Sequence, residues 1–134
     1  MDTQNLVTIK EIEGMLATHD GHLKGEMARR TEPFEYLDDV AKLAEYIGGA
    51  VENIKPGDWA IGKDLFPGVN VHFVYQHGDD EVPSNLRLLF NGDRVKTVPG
   101  EDLVNIVVGY VNHMLRYIRD TNLDKQLPQI CYQV

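Results

Sequence analysis

The amino-acid sequence predicts an α+β domain: a small, mainly antiparallel sheet of roughly three to five strands, with two or three helices packed on one face. Three observations lead to this prediction. Residues 69–76 and 86–90 alternate apolar and polar side chains, as a strand with one buried face does. Residues 34–47 and 103–118 instead repeat apolar side chains at helical spacing. Turn residues rich in Gly, Pro, Asn and Asp separate these segments.

The N-terminal segment is predicted to be helical. Thr8 and Glu11 form a Thr-x-x-Glu capping box, which marks the start of a helix. Gly21 is expected to bend or break this helix within residues 18–22. The apolar residues at helical spacing, before and after this interruption, are Ile9, Ile12, Leu16, Leu23 and Met27.

A second helix is predicted to start at residues 31–34, where Pro33 suits a first turn. It is expected to run without interruption to Gly48 and Gly49, which can supply the positive φ of a helix stop. Its apolar face comprises Phe34, Leu37, Val40, Ala41, Ala44 and Ile47.

The sheet is expected to follow. A short strand at 59–61 precedes the two alternating segments. Asn91 and Gly92 are typical of a two-residue hairpin turn, so residues 95–98 are predicted to return as the next strand.

The last long helix is predicted to begin at Gly100. Glu101 and Asp102 lie in its first turn, where negative charge is favourable at the positive end of the helix dipole. The predicted core face of the helix comprises Leu103, Ile106, Val107, Tyr110, Met114 and Ile118.

Residues after 121 are expected to form a tail, in which 127–132 lies against the sheet as an extended strand.

The composition is that of one globular domain. The chain has 134 residues, of which 43% are hydrophobic and 25% are charged. Within the domain, residues 1–30 are expected to form an N-terminal helical segment, 33–118 the core and 121–134 the tail. The protein is acidic, with a net charge of −8, which opposes non-specific binding to nucleic acid.

Several features indicate a soluble, cytoplasmic protein. Cys131 is the single cysteine, so no intramolecular disulfide can form. The N-terminus lacks the basic and apolar regions of a signal peptide. The most apolar stretch, 103–118, is too short and too polar to span a bilayer.

The acidic connection at 77–81 is the densest group of potential ligand-binding residues. Asp79, Asp80 and Glu81 could hold Ca²⁺ or Mg²⁺ through their oxygen atoms. The connection lacks the spaced ligands of an EF-hand loop. We favour the alternative, a hairpin connection in which the Asp side chains accept hydrogen bonds from nearby amides.

The histidines and the cysteine indicate no catalytic or zinc site. His19 and His22 have a spacing that could place two ligands on one helical face, but no Cys pair or Glu-x-x-His partner accompanies them. We favour a surface or helix-end role for this pair and structural roles for His72 and His113. Cys131 could be a nucleophile only beside a positioned histidine, and its place in the tail argues against this.

No nucleophile elbow, phosphate-binding loop or dinucleotide-binding motif is present in the sequence. Trp59, the only tryptophan, is interpreted most simply as an anchor in the core or at its rim. A stacking platform for a planar ligand is the alternative.

Seven short segments carry a family resemblance through their order and spacing: 34–39, 48–49, 57–58, 66–69, 78–83, 88–91 and 101–103. Together they resemble an uncharacterised prokaryotic domain family found mainly in anaerobic bacteria and archaea. The resemblance covers roughly residues 33–118. Some members of that family carry an iron–sulfur motif of the kind found beside corrinoid proteins, but this chain has no cysteine cluster. Asn70 and Asn91 also depart from the family pattern. The resemblance implies a fold and an anaerobe's cytoplasm, and no catalytic residue.

The leading functional hypothesis is a non-catalytic binding or accessory module that acts through a partner protein, in anaerobic redox or corrinoid-linked metabolism. One alternative is a small metal-dependent enzyme or ligand binder that uses the carboxylates near 79–81 together with Glu101 and Asp102. Another is an acidic inhibitor or decoy of a basic partner. The sequence identifies no cofactor, and it leaves open whether the protein forms a homo-oligomer.

Overall fold

The structure, a computed structural model, describes residues 2–14 and 18–134. Short 3-10 helices at Glu32–Tyr36, Val95–Thr97 and Gln129–Tyr132 accompany the main elements. The α-helices of the described residues are α1 (Ile9–Glu13), α2 (Asp20–Ala28), α3 (Val40–Ile47) and α4 (Gly100–Asp120). The strands are β1 (Ala50–Glu52), β2 (Trp59–Phe66), β3 (Val69–Gln76) and β4 (Asn85–Asn91).

The four strands form one antiparallel sheet in the order β1-β2-β3-β4, so each strand pairs with its neighbours in sequence. Phe73 on β3 lies between Ile61 on β2 and Leu88 on β4. Residues paired across an antiparallel ladder point to the same face of the sheet, so these three side chains belong to one apolar face. The predicted α+β class with a small antiparallel sheet is confirmed.

The helices cover this apolar face, with α4 at the centre of the core. Val107, Val111, Met114, Leu115 and Ile118 on α4 are fully buried against the sheet and the other helices. The predicted core face of the last helix is confirmed at Leu103, Val107, Met114 and Ile118, whereas Ile106 and Tyr110 are only partly buried.

The opposite face of the sheet carries a smaller apolar cluster of Ile54, Ala60 and Val74. Leu6 from the N-terminal segment and Leu89 from β4 pack against it. The sheet therefore has an apolar covering on both sides, although the large core lies only on the helical side.

The helix predicted across 34–47 is wrong as a continuous element. The chain forms a 3-10 helix at Glu32–Tyr36, becomes extended at Leu37, and starts a new helix, α3, at Val40. The cause is Asp39, whose side chain accepts a hydrogen bond from the Lys42 amide and so caps a fresh helix start. Ala41, which was predicted on the apolar face, is exposed.

The predicted break at Gly21 is also wrong. α1 carries the expected capping box at Thr8 and Glu11, but it ends at Gly14, which adopts a φ of 71° that favours glycine. α2 already begins at Asp20, so Gly21 lies inside its first turn. Leu16, predicted on the same apolar stripe, lies outside the described residues.

Two predicted strands do not form. Residues 95–97 adopt a 3-10 helix: after β4 the amide of Arg94 donates to the carbonyl of Gly68 (2.9 Å) at the β2–β3 turn, and Val7 takes the edge position beside Phe90. The tail does not lie on the sheet either: Gln129–Tyr132 is a 3-10 helix packed on α4, with Leu127 and Cys131 buried. α4 already occupies the sheet face that the tail would have covered. β1, in contrast, was not predicted, since three residues are too short to show a period.

Candidate functional site

The outer edge of β4 is open along most of its length. At one end, the amide of Val7 donates to the carbonyl of Phe90 (2.8 Å) and the amide of Phe90 donates to the carbonyl of Val7 (2.7 Å). Because backbone groups of alternate strand residues point to the same side, the N–H and C=O groups of Leu88 and Leu86 also point outward. No backbone group within 2–14 or 18–134 pairs with them.

A groove of about 480 Å³ runs along this edge, between β4 and α2. Ile9, Leu23 and Met27 form its apolar wall, and Leu86 and Leu88 form its floor. At roughly 3.3 Å per residue, the stretch from Asn85 to Leu89 is about 13 Å long, which is enough for about four residues of an extended chain. The groove therefore combines apolar side-chain contacts with backbone groups that are ready to pair.

One face of α2 forms the far side of the groove. Asp20, Leu23, Lys24, Met27, Ala28 and Thr31 line it, at the spacing of a single helical face continued into the following turn. Leu23 and Met27 are buried, whereas Ala28 and Lys24 are exposed at the rim. The Lys24 ammonium is 3.0 Å from the Asp20 carboxylate, so these two charges compensate each other.

A second, acidic pocket of about 520 Å³ adjoins the groove where β4 begins. The two cavities share lining residues at their junction, among them Ala28 and Ser84. The carboxylates and the histidine that line the acidic pocket are Glu32, Glu35, Asp79, Asp80 and His77.

The 77–81 connection has a clear structural role. One carboxylate oxygen of Asp79 accepts hydrogen bonds from the amides of Glu81 and Val82, both at 2.8 Å. These two bonds, that from Val82 foremost, lower the pKa of the Asp79 carboxyl below its usual value. The favoured interpretation of Asp79 as a turn-capping residue agrees with this geometry.

The remaining candidate carboxylates lie apart. Asp80 lines the acidic pocket, whereas Glu101 and Asp102 lie exposed in the first turn of α4 and do not line it. Glu81 is exposed and also lies outside the lining. Within residues 2–14 and 18–134, no group of three or more His, Cys, Asp or Glu residues is arranged to hold a metal ion.

His19 and His22 do not converge on one site. His19 Nδ1 is 2.6 Å from Glu13 Oε2, beside the start of α4, and His22 Nε2 is 3.9 Å from Glu26. The hydrogen bond from His19 lowers the pKa of the Glu13 carboxyl. The two histidines thus pair with different glutamates.

Trp59 forms part of an aromatic cluster at the edge of the core. Its ring is stacked on Tyr75, with centroids 5.3 Å apart, and tilted against Phe34 at 5.7 Å. This arrangement agrees with an anchor at the rim, and Trp59 lines neither the groove nor the acidic pocket.

Cys131 is fully buried, and burial raises the pKa of its thiol. His113 is stacked on Tyr46.

A buried polar network on the other face of the sheet was not predicted. Glu52 on β1 reaches across β2 to His72 on β3, with Oε1 and Nδ1 2.6 Å apart. Ala60 and Gly62 are the residues of β2 that lie between Glu52 and His72 on this face, and their small size makes room for the Glu52 side chain. His72 is fully buried, and the Glu52 side chain is 5% exposed.

Hydrogen-bond geometry identifies the donors and acceptors around Asn91. The Asn91 side-chain amide donates to the carbonyls of Asp2 and Gln4, both at 2.9 Å, so its oxygen accepts from His72 Nε2 at 2.8 Å. His72 Nε2 therefore carries a proton. The network ties the N-terminal segment to the sheet.

Fold and groove together define a small α+β domain whose antiparallel sheet presents an open edge under a helix. The sequence pattern of a family described as a domain of unknown function, DUF3786, matches residues 2–113, and the chain belongs to that family. The match fits the uncharacterised domain family that the sequence resembled, and it extends further towards the N-terminus than residues 33–118.

The other comparisons add no relative. No curated protein and no solved structure is significantly similar to the chain. No helix of the described residues combines the length and the apolar character needed to cross a lipid bilayer.

Proposed function

We propose that this protein is a non-catalytic binding module that acts through a partner protein, and that it takes an extended segment of that partner along the outer edge of β4. The observation that supports this most strongly is that the N–H and C=O groups of Leu86 and Leu88 face outward from the floor of an apolar groove. An added strand gains main-chain hydrogen bonds from such an edge and side-chain contacts from the flanking pockets.

The pairing of Val7 with Phe90 supports the proposal from within the chain itself. It places an extended segment beside β4 in antiparallel orientation, with two short hydrogen bonds. The edge is thus already shaped for an added strand. After Val7 the chain turns away, because Thr8 caps α1, and this leaves the rest of the edge open.

The family resemblance supplies the proposed setting. We place the module in the cytoplasm of an anaerobic prokaryote, serving redox or corrinoid-linked metabolism through its partner. The support for this setting is the resemblance of the ordered segments, from 34–39 to 101–103, to a family found mainly in anaerobic bacteria and archaea, some members of which carry an iron–sulfur motif of the kind found beside corrinoid proteins.

The test is a selection of short random peptides displayed on phage against the whole chain, repeated with two variants. Ala28→Trp places a bulky ring at the junction of the groove and the acidic pocket, at an exposed position that tolerates it. We expect this variant to bind the selected peptides at least about tenfold more weakly than the unaltered protein, because the ring occupies the groove.

Gly25→Trp is the matched control. Gly25 is exposed on α2 and does not line the groove, and a Cβ added there has no neighbour within 4 Å outside its own stretch of helix backbone. We expect its affinity for the peptides to equal that of the unaltered protein. The proposal is wrong if no peptide is selected, or if both variants bind the selected peptides as the unaltered protein does.

A further inference from the structure

From the charge of the adjoining pocket we infer the chemistry of the bound segment: alternating apolar residues followed, on the C-terminal side, by a lysine or arginine. This inference rests on the proposed function. The occupant is an extended segment of a partner protein, because the groove and the acidic pocket share lining residues at Ala28 and Ser84 and an extended chain in the groove leads towards the pocket.

The order of the residues follows from the geometry of the edge. Val7 runs antiparallel to β4 and leaves it at Thr8, so a segment that continues this line has its N-terminus beside Thr8. It then runs opposite Leu88 and Leu86 and ends at Ser84, where the acidic pocket opens. The basic residue therefore comes after the apolar ones.

The acidic pocket holds carboxylates that are free to receive a cation. Glu32 and Asp80 are exposed and form no ion pair with any described residue, and Glu35 accepts only a long bond of 3.5 Å from the Ser84 hydroxyl. Asp79 is engaged by the amides of its own turn. No lysine or arginine lines this pocket.

The groove itself offers a cation no free carboxylate. The Asp20 carboxylate that lines it is paired with Lys24 at 3.0 Å, and Arg87, the other charged lining residue, donates to the carbonyl of Pro56. A basic side chain of the bound segment is therefore favoured at the acidic end rather than in the middle of the groove. Apolar side chains suit the wall formed by Ile9, Leu23 and Met27. The groove and its acidic end together therefore favour a segment with apolar residues first and a basic residue last.

The experiment uses the same displayed peptides and two triple variants of the whole chain. Glu32→Gln, Glu35→Gln and Asp80→Asn together remove the free carboxylates of the pocket without altering the turn that Asp79 holds. The control, Glu45→Gln, Asp64→Asn and Asp124→Asn, removes as much negative charge from exposed positions elsewhere. Peptide affinity is measured by calorimetry at low and at high salt.

We expect a selected consensus in which Lys or Arg follows alternating apolar residues. The pocket variant should bind such peptides at least about threefold more weakly at low salt, the control variant should bind them normally, and high salt should remove the difference. The inference is overturned, with the proposed function intact, if Ala28→Trp abolishes binding but the pocket variant does not weaken it. It is equally overturned by a consensus with the basic residue first. If basic peptides still bind Ala28→Trp at full strength, they bind elsewhere, and the proposed function is wrong as well.

Discussion

Replacing Val107 with Asp is expected to prevent stable folding. Val107 is fully buried at the centre of α4, surrounded by the large apolar core. The change removes an apolar side chain and places a carboxylate where the core offers it no partner, and an unpaired charge in such a place costs several kcal/mol. Together these losses approach the whole stability of a typical domain, about 5–15 kcal/mol.

Thermal unfolding followed by circular dichroism measures this effect. Asn105→Asp is the matched control, because Asn105 is exposed on the same helix. It should melt within a few degrees of the unaltered protein, whereas Val107→Asp should show no cooperative transition. A cooperative transition for Val107→Asp close to that of the control would mean that the buried face of α4 is wrongly assigned.

Replacing His72 with Leu is expected to lower the free energy of unfolding by about 3–5 kcal/mol, because it leaves the buried carboxyl of Glu52 without its partner. Oε2 of Glu52 already has no hydrogen-bond partner among the described residues, so the lost contact with Oε1 is not replaced. Asn91 also loses the donor that its side-chain oxygen accepts from.

The double variant His72→Leu, Glu52→Leu separates the interaction between these two side chains from the effect of each one alone. Removing both polar groups avoids the isolated carboxyl, so the double variant should be more stable than His72→Leu alone. Denaturant unfolding of the singles and the double gives the coupling energy between the two residues. Stabilities that simply add, or a loss below about 1 kcal/mol for His72→Leu, would show that the pair does not hold the sheet face together.

The sequence is informative where a pattern is long. The apolar repeat of α4 and the alternation of β3 each extend over enough residues to identify the element and its buried face. Where the outcome depends on one side chain or on a distant partner, the same reasoning fails. Asp39 divides an apolar stripe that looks continuous, and Val7, from the distant N-terminal segment, pairs with Phe90 where the predicted hairpin would have begun.

The candidate site could be predicted only in part. The acidic connection at 77–81 was recognised, and the hydrogen bonds that Asp79 accepts from the amides of Glu81 and Val82 agree with the favoured turn interpretation. The groove could not be found, because its walls come from α1, α2 and β4 and meet only in the folded chain. The pairing of Glu52 with His72 was missed because β1 is too short to recognise, although His72 was visible on the polar side of β3.

The most direct test of strand addition at this edge is amide hydrogen exchange of Leu86 and Leu88, measured by NMR with and without the strongest selected peptide at saturation. We predict that both amides exchange more slowly in the complex, because each gains a hydrogen-bond partner from the added strand. The amide of Phe90, already bonded to Val7, serves as an internal reference and should change little. Unchanged exchange at Leu86 and Leu88 with peptide bound would contradict the proposal that this edge receives a strand.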